Sequence, residues 1–315
     1  MKRIPVRKYF LYLLPFLFLL LILLFPTQAR NGASNGLLLW FNVLLPTLLP
    51  FMILSDLIRR LHIVDTLCNR ISSRTGKNLY FLYPLLLGLL TGLPLGAKLT
   101  AEAIRSGQFS RQKGQFLLIV CNNSSTMFLM GYVAEVQLQR PELIVPFLLF
   151  VPLSSLLAAL LQTALSTFFV ALSGTLQHHD TVTAHSLSYT VTASPSFIAS
   201  VSSSIMDSFT VITQVGGFVI LFSVLAEFVL LIDSPLTLPL VASLEITTGV
   251  RAVCASSLSE NAKTILSAAA VSFTGLSGIA QTACVLSETG LSLMRYIISR
   301  LLSAAFCAMF FWLLL

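Results

Sequence analysis

Long continuous apolar runs, and not strict alternation, dominate the chain. They occupy residues 9–26, 36–58, 78–97, 115–133, 142–172, 205–232, 236–254, 264–286 and 294–315. Each is near the roughly 20 residues that a helix needs to cross the hydrocarbon core of a bilayer. Lipid offers no partner to a backbone polar group, so a spanning segment must be a helix or part of a closed barrel. These runs are about twice as long as a barrel strand and lack its alternation, which sets a barrel aside. The expected fold is an all-α polytopic membrane protein with seven to nine membrane segments.

Several runs are interrupted where interruption is expensive. Residues 85–104, "LLLGLLTGLPLGAKLTAEAI", place Gly88, Thr91, Gly92, Pro94 and Gly96 inside an apolar stretch that runs into Lys98. A second break echoes the first at 240–259, "LVASLEITTGVRAVCASSLS", with Thr248-Gly249 answering Thr91-Gly92. Farther along, "QFLLIVCNNSSTMFLMGYV" (115–133) has its counterpart in "ILSAAAVSFTGLSGIAQTACV" (265–285), so that Asn122-Asn123-Ser124-Ser125 falls opposite Thr274-Gly275-Leu276-Ser277. Both halves then close on a plain apolar helix, 142–172 and 294–315. This order divides the chain into an N-terminal membrane anchor (1–35), a first repeat (36–172), a polar linker (173–204) and a second repeat (205–315). Interrupted segments at corresponding places in two halves are the best sequence-level pointer to a transporter's binding site. Close packing of small residues is the plainer reading of any single break, but four breaks in repeat order favour the site.

Composition agrees with a membrane protein: 56% of residues are hydrophobic and 10% charged, against about a quarter charged in a soluble domain. The net charge of +7 comes from basic clusters beside apolar spans, where orientation signals are expected and nucleic acid is not. Four basic residues in "MKRIPVRKYF" place the N-terminus in the cytoplasm, and the first run reads as an uncleaved anchor despite the signal-like "PTQARNG" after it. Residues 59–77 and 98–114 are both basic, although a single crossing by 78–97 would separate them. A re-entrant hairpin turning at "TGLPLG" removes the conflict, since broken helices are tolerated at membrane depth when they pack on protein or line a cavity. With both hairpins re-entrant, each half makes three crossings and the two repeats are inverted. The linker 173–204 has no Lys or Arg, which by charge alone argues for the outer side and against the hairpin. The five cysteines (Cys68, Cys121, Cys254, Cys284, Cys307) are scattered, so neither a disulfide framework nor a metal knuckle is implied. His178, His179, Asp180 and His185 fall in a Ser/Thr-rich stretch and read as a solvated loop.

At the breaks the chain resembles the YlbJ family of sporulation integral membrane proteins, within the wider group carrying the nucleoside recognition or Gate domain. The resemblance is carried by "GLLTGLPLGAKLTAEAIRSGQFSRQKGQFLLIVCNNSSTMFLMGYV", "LEITTGVRAV" and "FTGLSGIAQTACV", and extends from about residue 36 to the C-terminus. It implies a membrane protein of endospore-forming bacteria, linked to spore cortex formation, with a transporter-like architecture. Two departures stand out. Leu93 occupies the middle of Gly-Leu-Pro where the family often has an aromatic, and the second half has no Pro-x-Gly-Ala-Lys.

If the breaks line a solute path, the groups available are Thr91, Gly92, Asn122, Asn123, Ser124, Ser125, Thr126, Thr248, Gly249, Thr274, Gly275, Ser277 and Gln281. This set is neutral and both donates and accepts, suiting a polar uncharged solute, a nucleoside-like ring or a cation. Glu245 is the ionisable residue of greatest interest, because a charge at membrane depth is rare and usually functional, and a helical turn would put it on one face with Thr248. Lys98 is a candidate charge partner, with snorkelling to the interface as the alternative. Asp56, Asp207, Glu227 and Asp233 read as boundary residues. No nucleophile elbow, zinc-protease helix or phosphate loop occurs, so an enzyme is not expected. No metal or cofactor is implied. The expected partners are the lipid bilayer of the bacterial inner membrane, a small polar solute or cation, and further copies of the chain or other sporulation membrane proteins. A non-transporting scaffold is the alternative function.

Overall fold

The computed structural model describes residues 6–63, 66, 67, 70, 71, 81–173, 196–232 and 234–315. Cys68, His178, His179, Asp180, His185, Asp233 and most of the polar linker lie outside them. All described regular structure is helical. Among the described residues, five helices are long and apolar enough to cross a membrane: Pro26–Arg60, Pro141–Thr167, Phe197–Val229, Glu260–Val285 and Leu293–Leu314. The chain is a multi-pass membrane protein.

In chain order, α1 is Val6–Leu24 and α2 is Pro26–Arg60. Then come α3 (Leu82–Thr91), α4 (Leu95–Arg105), α5 (Arg111–Cys121), a π-helical segment (Phe128–Gln137) and α6 (Ile144–Ser173). The second half comprises α7 (Phe197–Val229), α8 (Thr237–Leu244), α9 (Ile246–Ala255), α10 (Glu260–Phe273), α11 (Gly275–Val285) and α12 (Leu293–Leu314). Serine side chains fix where several of these begin: Ser110, Ser196, Ser259 and Ser292 accept from the backbone N–H three residues on, satisfying donors that a helix start leaves unpaired. The helix that carries the apolar run 36–58 starts ten residues before that run, at Pro26, so α2 is continuous across 35/36.

Small residues let α2 lie on α7. A Cβ added at Gly32 would sit 2.6 Å from Val224 Cα, and one at Gly36 would sit 2.8 Å from Ile220 Cα. Trp40 Nε1 donates to Ile212 O at 2.8 Å, and Asn35 Nδ2 to Glu227 Oε1 at 2.9 Å. The helices therefore run antiparallel with backbones in contact, the role small residues commonly play in membrane bundles. Gly36→Leu would push backbone against backbone, and overpacking of this kind costs about 1–3 kcal/mol. The expected outcome is a lower melting temperature in detergent, read by differential scanning fluorimetry; an unchanged melt would mean that α2 does not pack this way.

The breaks fall where the sequence weakens a helix. α3 stops at Gly92, whose φ of +69° and ψ of −149° no helix accommodates, and α4 restarts after Pro94. At 10 and 11 residues, each arm is about 15 Å long, half the hydrocarbon thickness. α5 ends at Asn122, and the chain stays irregular to Ser125 before resuming. α8 ends at Glu245, which is extended, and α10 ends at Thr274, which is left-handed.

Side-chain bonds fix how these pieces run. Near one end of the bundle, Arg105 at the close of α4 donates to Val285 O and Ser287 O at 2.9 and 2.8 Å. There, too, Gln115 exchanges two hydrogen bonds with Ser292, and Gln162 donates to Arg295 O. Arg59 and Arg60 share Asp56, Arg60 also pairs with Asp207 of α7, and Arg59 lies 3.9 Å from Glu102 of α4. Near the opposite end, Arg140 donates to Thr264 at 3.4 Å and the rings of Phe147 and Phe311 lie 4.5 Å apart. The broken helix α5–π and the broken helix α10–α11 thus run in opposite directions.

Candidate functional site

A cavity of about 50 Å³ lies where the four breaks approach one another. Its polar lining is Ser124 and Ser125 from the break after α5, Glu245 and Thr247 at the start of α9, Thr274 at the break between α10 and α11, and Ser277 and Gln281 on α11. Leu93 from the first break joins Leu44, Leu48, Phe128, Val215 and Val219 in the apolar wall. Of the residues singled out in the sequence, Ser124, Ser125, Glu245, Thr274, Ser277 and Gln281 are brought together here.

Glu245 is the only acidic residue in that lining. It does not share a helical face with Thr248 as expected; it is the residue that caps α9. Its Oε2 accepts from Thr248 N at 2.7 Å and its Oε1 from Thr247 Oγ1 at 3.0 Å. The carboxylate therefore sits at the positive end of a helix dipole. Glutamate is not a favoured capping residue, and its extra methylene reaches both donors from an extended backbone. The residue is 2% exposed and forms no ion pair among the described residues.

The other predicted residues hold the breaks in place. Asn122 Oδ1 accepts from Ala97 N, capping α4, while Nδ2 donates to Thr282 Oγ1 and Tyr296 Oη. Asn123 Oδ1 accepts from Ser155 Oγ and Arg300 Nη1, and its Nδ2 donates to Val120 O. Neither asparagine lines the cavity. Thr91 bonds back to Leu87 O and Thr126 to Leu90 O, and Thr248 Oγ1 pairs with Ser223 Oγ. Gly92 and Gly249 permit close backbone contact, with Ser125 N and Ala242 Cα respectively, and Gly275 carries a φ of +65° beside Leu244 O. Lys98 is half-buried, outside the lining, and forms no ion pair among the described residues.

Arg300 was missed. The last helix is not plain: Arg300 is wholly buried, donates to Asn123 Oδ1 at 2.6 Å and to Ile119 O, and lies 5.1 Å from the centre of the Tyr296 ring. Tyr296 in turn donates to Asn122 O at 3.1 Å. The signal was present, since an arginine within an apolar run of spanning length is a functional or structural flag by default.

No family model matches the chain, and no solved structure does. The chain is similar to the sporulation integral membrane protein YlbJ of Bacillus subtilis (strain 168), 29% identical over an alignment of 335 positions that covers 95% of this chain and 81% of that protein. The likeness spans both halves and all four breaks of this multi-pass membrane protein.

Proposed function

We infer that the protein is a permease in which the four breaks form the binding site for a small polar solute or ion near the middle of the bilayer. The observation that carries this reading is the convergence of the breaks on one cavity that is polar on one side and contains a buried carboxylate. Further support comes from the opposed directions of the two broken helices, the geometry expected of inverted repeats. The short arms of α3–α4 and α8–α9 are the two re-entrant hairpins, the first opening toward the end of the bundle where Arg59, Arg60, Arg105 and Arg111 gather. By the positive-inside rule that end is cytoplasmic, as is the N-terminus.

The volume limits what this conformation holds. About 50 Å³ accommodates roughly three or four waters and no nucleoside, so it is a closed state. Passage of a larger solute requires the halves to part at one end, through the contacts of Arg105 and Gln115 or those of Arg140.

Filling the cavity tests the reading. Ser125→Leu and Ser277→Leu in the chromosomal gene of an endospore-forming host should leave the protein at normal abundance in the membrane. Heat-resistant spores should fall to the level of a deletion strain. Normal spore counts from both variants would favour a scaffold role, for which the cavity is irrelevant.

The topology has a separate test, in a background from which the native cysteines have been removed. Cysteines at Ser106 and Ser287 should label from one side of the membrane with an impermeant maleimide, and cysteines at Gln139 and Ser259 from the other. Labelling of Ser106→Cys and Gln139→Cys from the same side would rule out the inverted arrangement.

A further inference from the structure

We propose that Glu245 and the hydroxyl oxygens facing it form a sodium-ion site, which makes the permease inferred above a sodium-coupled one and rests on that reading. Both carboxylate oxygens of Glu245 accept, one from Thr247 Oγ1 and one from Thr248 N, and bonds of this kind favour the charged form. A buried ion without a counter-ion is strongly unfavourable. No basic side chain lines the cavity or pairs with Glu245 among the described residues. The dipole of α9 offsets only part of the charge. The remaining neutralisation comes from a proton on the carboxyl or from a cation that occupies the cavity.

The rest of the lining says what that is. Ser124 Oγ spends its proton on Val271 O at 2.9 Å, which leaves its lone pairs to face a ligand. Ser277 Oγ accepts from Gln281 Nε2 at 3.2 Å and Ser125 Oγ from Phe128 N at 3.2 Å. Thr274 Oγ1 is the independent pointer: it belongs to a residue 1% exposed, lies in the lining, and has no hydrogen-bond partner among the described residues. A buried hydroxyl is almost always satisfied, so an unpartnered one beside an uncompensated carboxylate marks a ligand position. Carboxylate and hydroxyl oxygens suit a hard cation, not a soft metal. One carboxylate neutralises one unit of charge, so a monovalent ion fits where a divalent one would leave the excess buried. The volume admits Na⁺ with a water or two.

The experiment is ²²Na⁺ binding by scintillation proximity, on the full chain in lipid nanodiscs with choline as the background cation. Saturable binding of one ion per chain is expected. Glu245→Gln, which keeps the shape and removes the charge, should abolish it. Thr274→Val, which keeps the carboxylate and removes one oxygen, should weaken it by about tenfold, or about 1.4 kcal/mol. Excess unlabelled Na⁺ should displace the label while Li⁺, K⁺ and choline do so less well. Absence of saturable binding in the unaltered protein overturns the site, and so does undiminished binding by either variant. Where Glu245→Gln does not fold, Thr274→Val decides alone. Displacement by protons only, with no Na⁺ binding at neutral pH, also overturns it. The permease reading fails differently: normal sporulation by the cavity-filled variants removes it even where Na⁺ binds, and loss of sporulation without Na⁺ binding keeps it while removing the sodium.

Discussion

Arg300→Ala should leave little folded protein in the membrane. The guanidinium is buried against α5 and bridges two groups that have little alternative: the Ile119 carbonyl in the last turns of α5 and Asn123 Oδ1 in the break that follows. Through Asn123 it also steadies Ser155 of α6, and the Tyr296 ring beside it holds Asn122. Removing the guanidinium leaves both buried acceptors short of a donor, at about 1–3 kcal/mol each, and a cavity beside them, together a large part of the roughly 5–15 kcal/mol by which proteins are typically stable. Arg300→Lys keeps the charge but offers a single point of donation where arginine offers a planar fork. It should satisfy one acceptor and leave the other unpaired, at about 1–3 kcal/mol, and so fall between the two. Membrane abundance by immunoblot and the melting temperature in detergent report both effects. If Arg300→Ala melts with the unaltered protein, the network around Asn122 and Asn123 does not hold the halves together.

The position of Arg300 shows what the sequence leaves out. That the chain is helical, crosses the membrane repeatedly and breaks at four places was legible, because apolar run length and clusters of Gly, Pro, Asn and Ser report local backbone physics. Which side of a break faces the cavity was not. Asn122 and Ser124 are two residues apart, yet one holds Tyr296 and Thr282 while the other lines the cavity. The difference depends on partners more than 140 positions away in the chain, which no local pattern encodes. Glu245 was legible as a residue of interest and illegible in its role, since spacing to Thr248 suggests a shared helical face whereas the backbone is extended at Glu245 and the side chain caps the helix. Thr247 escaped notice for the same reason: it became a carboxylate partner only once Glu245 was known to lie outside the helix. α6 begins near the end of α12 and runs toward Arg295 near its start, so it leads to the same end of the bundle as Arg105 and Gln115, and Asp207 in the first third of α7 pairs with Arg60.

Gly92→Ala should cost far more than Gly275→Ala, although both glycines sit at breaks with positive φ. At Gly275 the backbone has a φ of +65°, and an added Cβ would find its nearest neighbours, Leu244 O and Ile246 Cγ2, at 3.2 and 3.3 Å. The substitution there carries the left-handed penalty of about 1–2 kcal/mol and a small shift of the Leu244–Ile246 backbone, since its contacts are tight without overlapping. Gly92 combines φ +69° with ψ −149°, a region open in practice to glycine alone. Its added Cβ would lie 2.5 Å from Ser125 N and 2.6 Å from Asn123 O, both backbone atoms of the neighbouring break. Strain of about 1–3 kcal/mol is thus joined by a clash that neither side relieves without moving. The easiest relief separates the two breaks and lengthens the 2.8 Å bond from Leu93 N to Asn123 O. Leu93 and Ser125 both line the cavity, so that movement opens its wall even where the protein survives. The expected result is therefore twofold: Gly92→Ala lowers the melting temperature several times further than Gly275→Ala, and the fraction that remains folded fails to support heat-resistant spores. A Gly92→Ala protein that melted and sporulated like Gly275→Ala would show that the first two breaks are not held against each other, and with that the shared cavity would lose its wall.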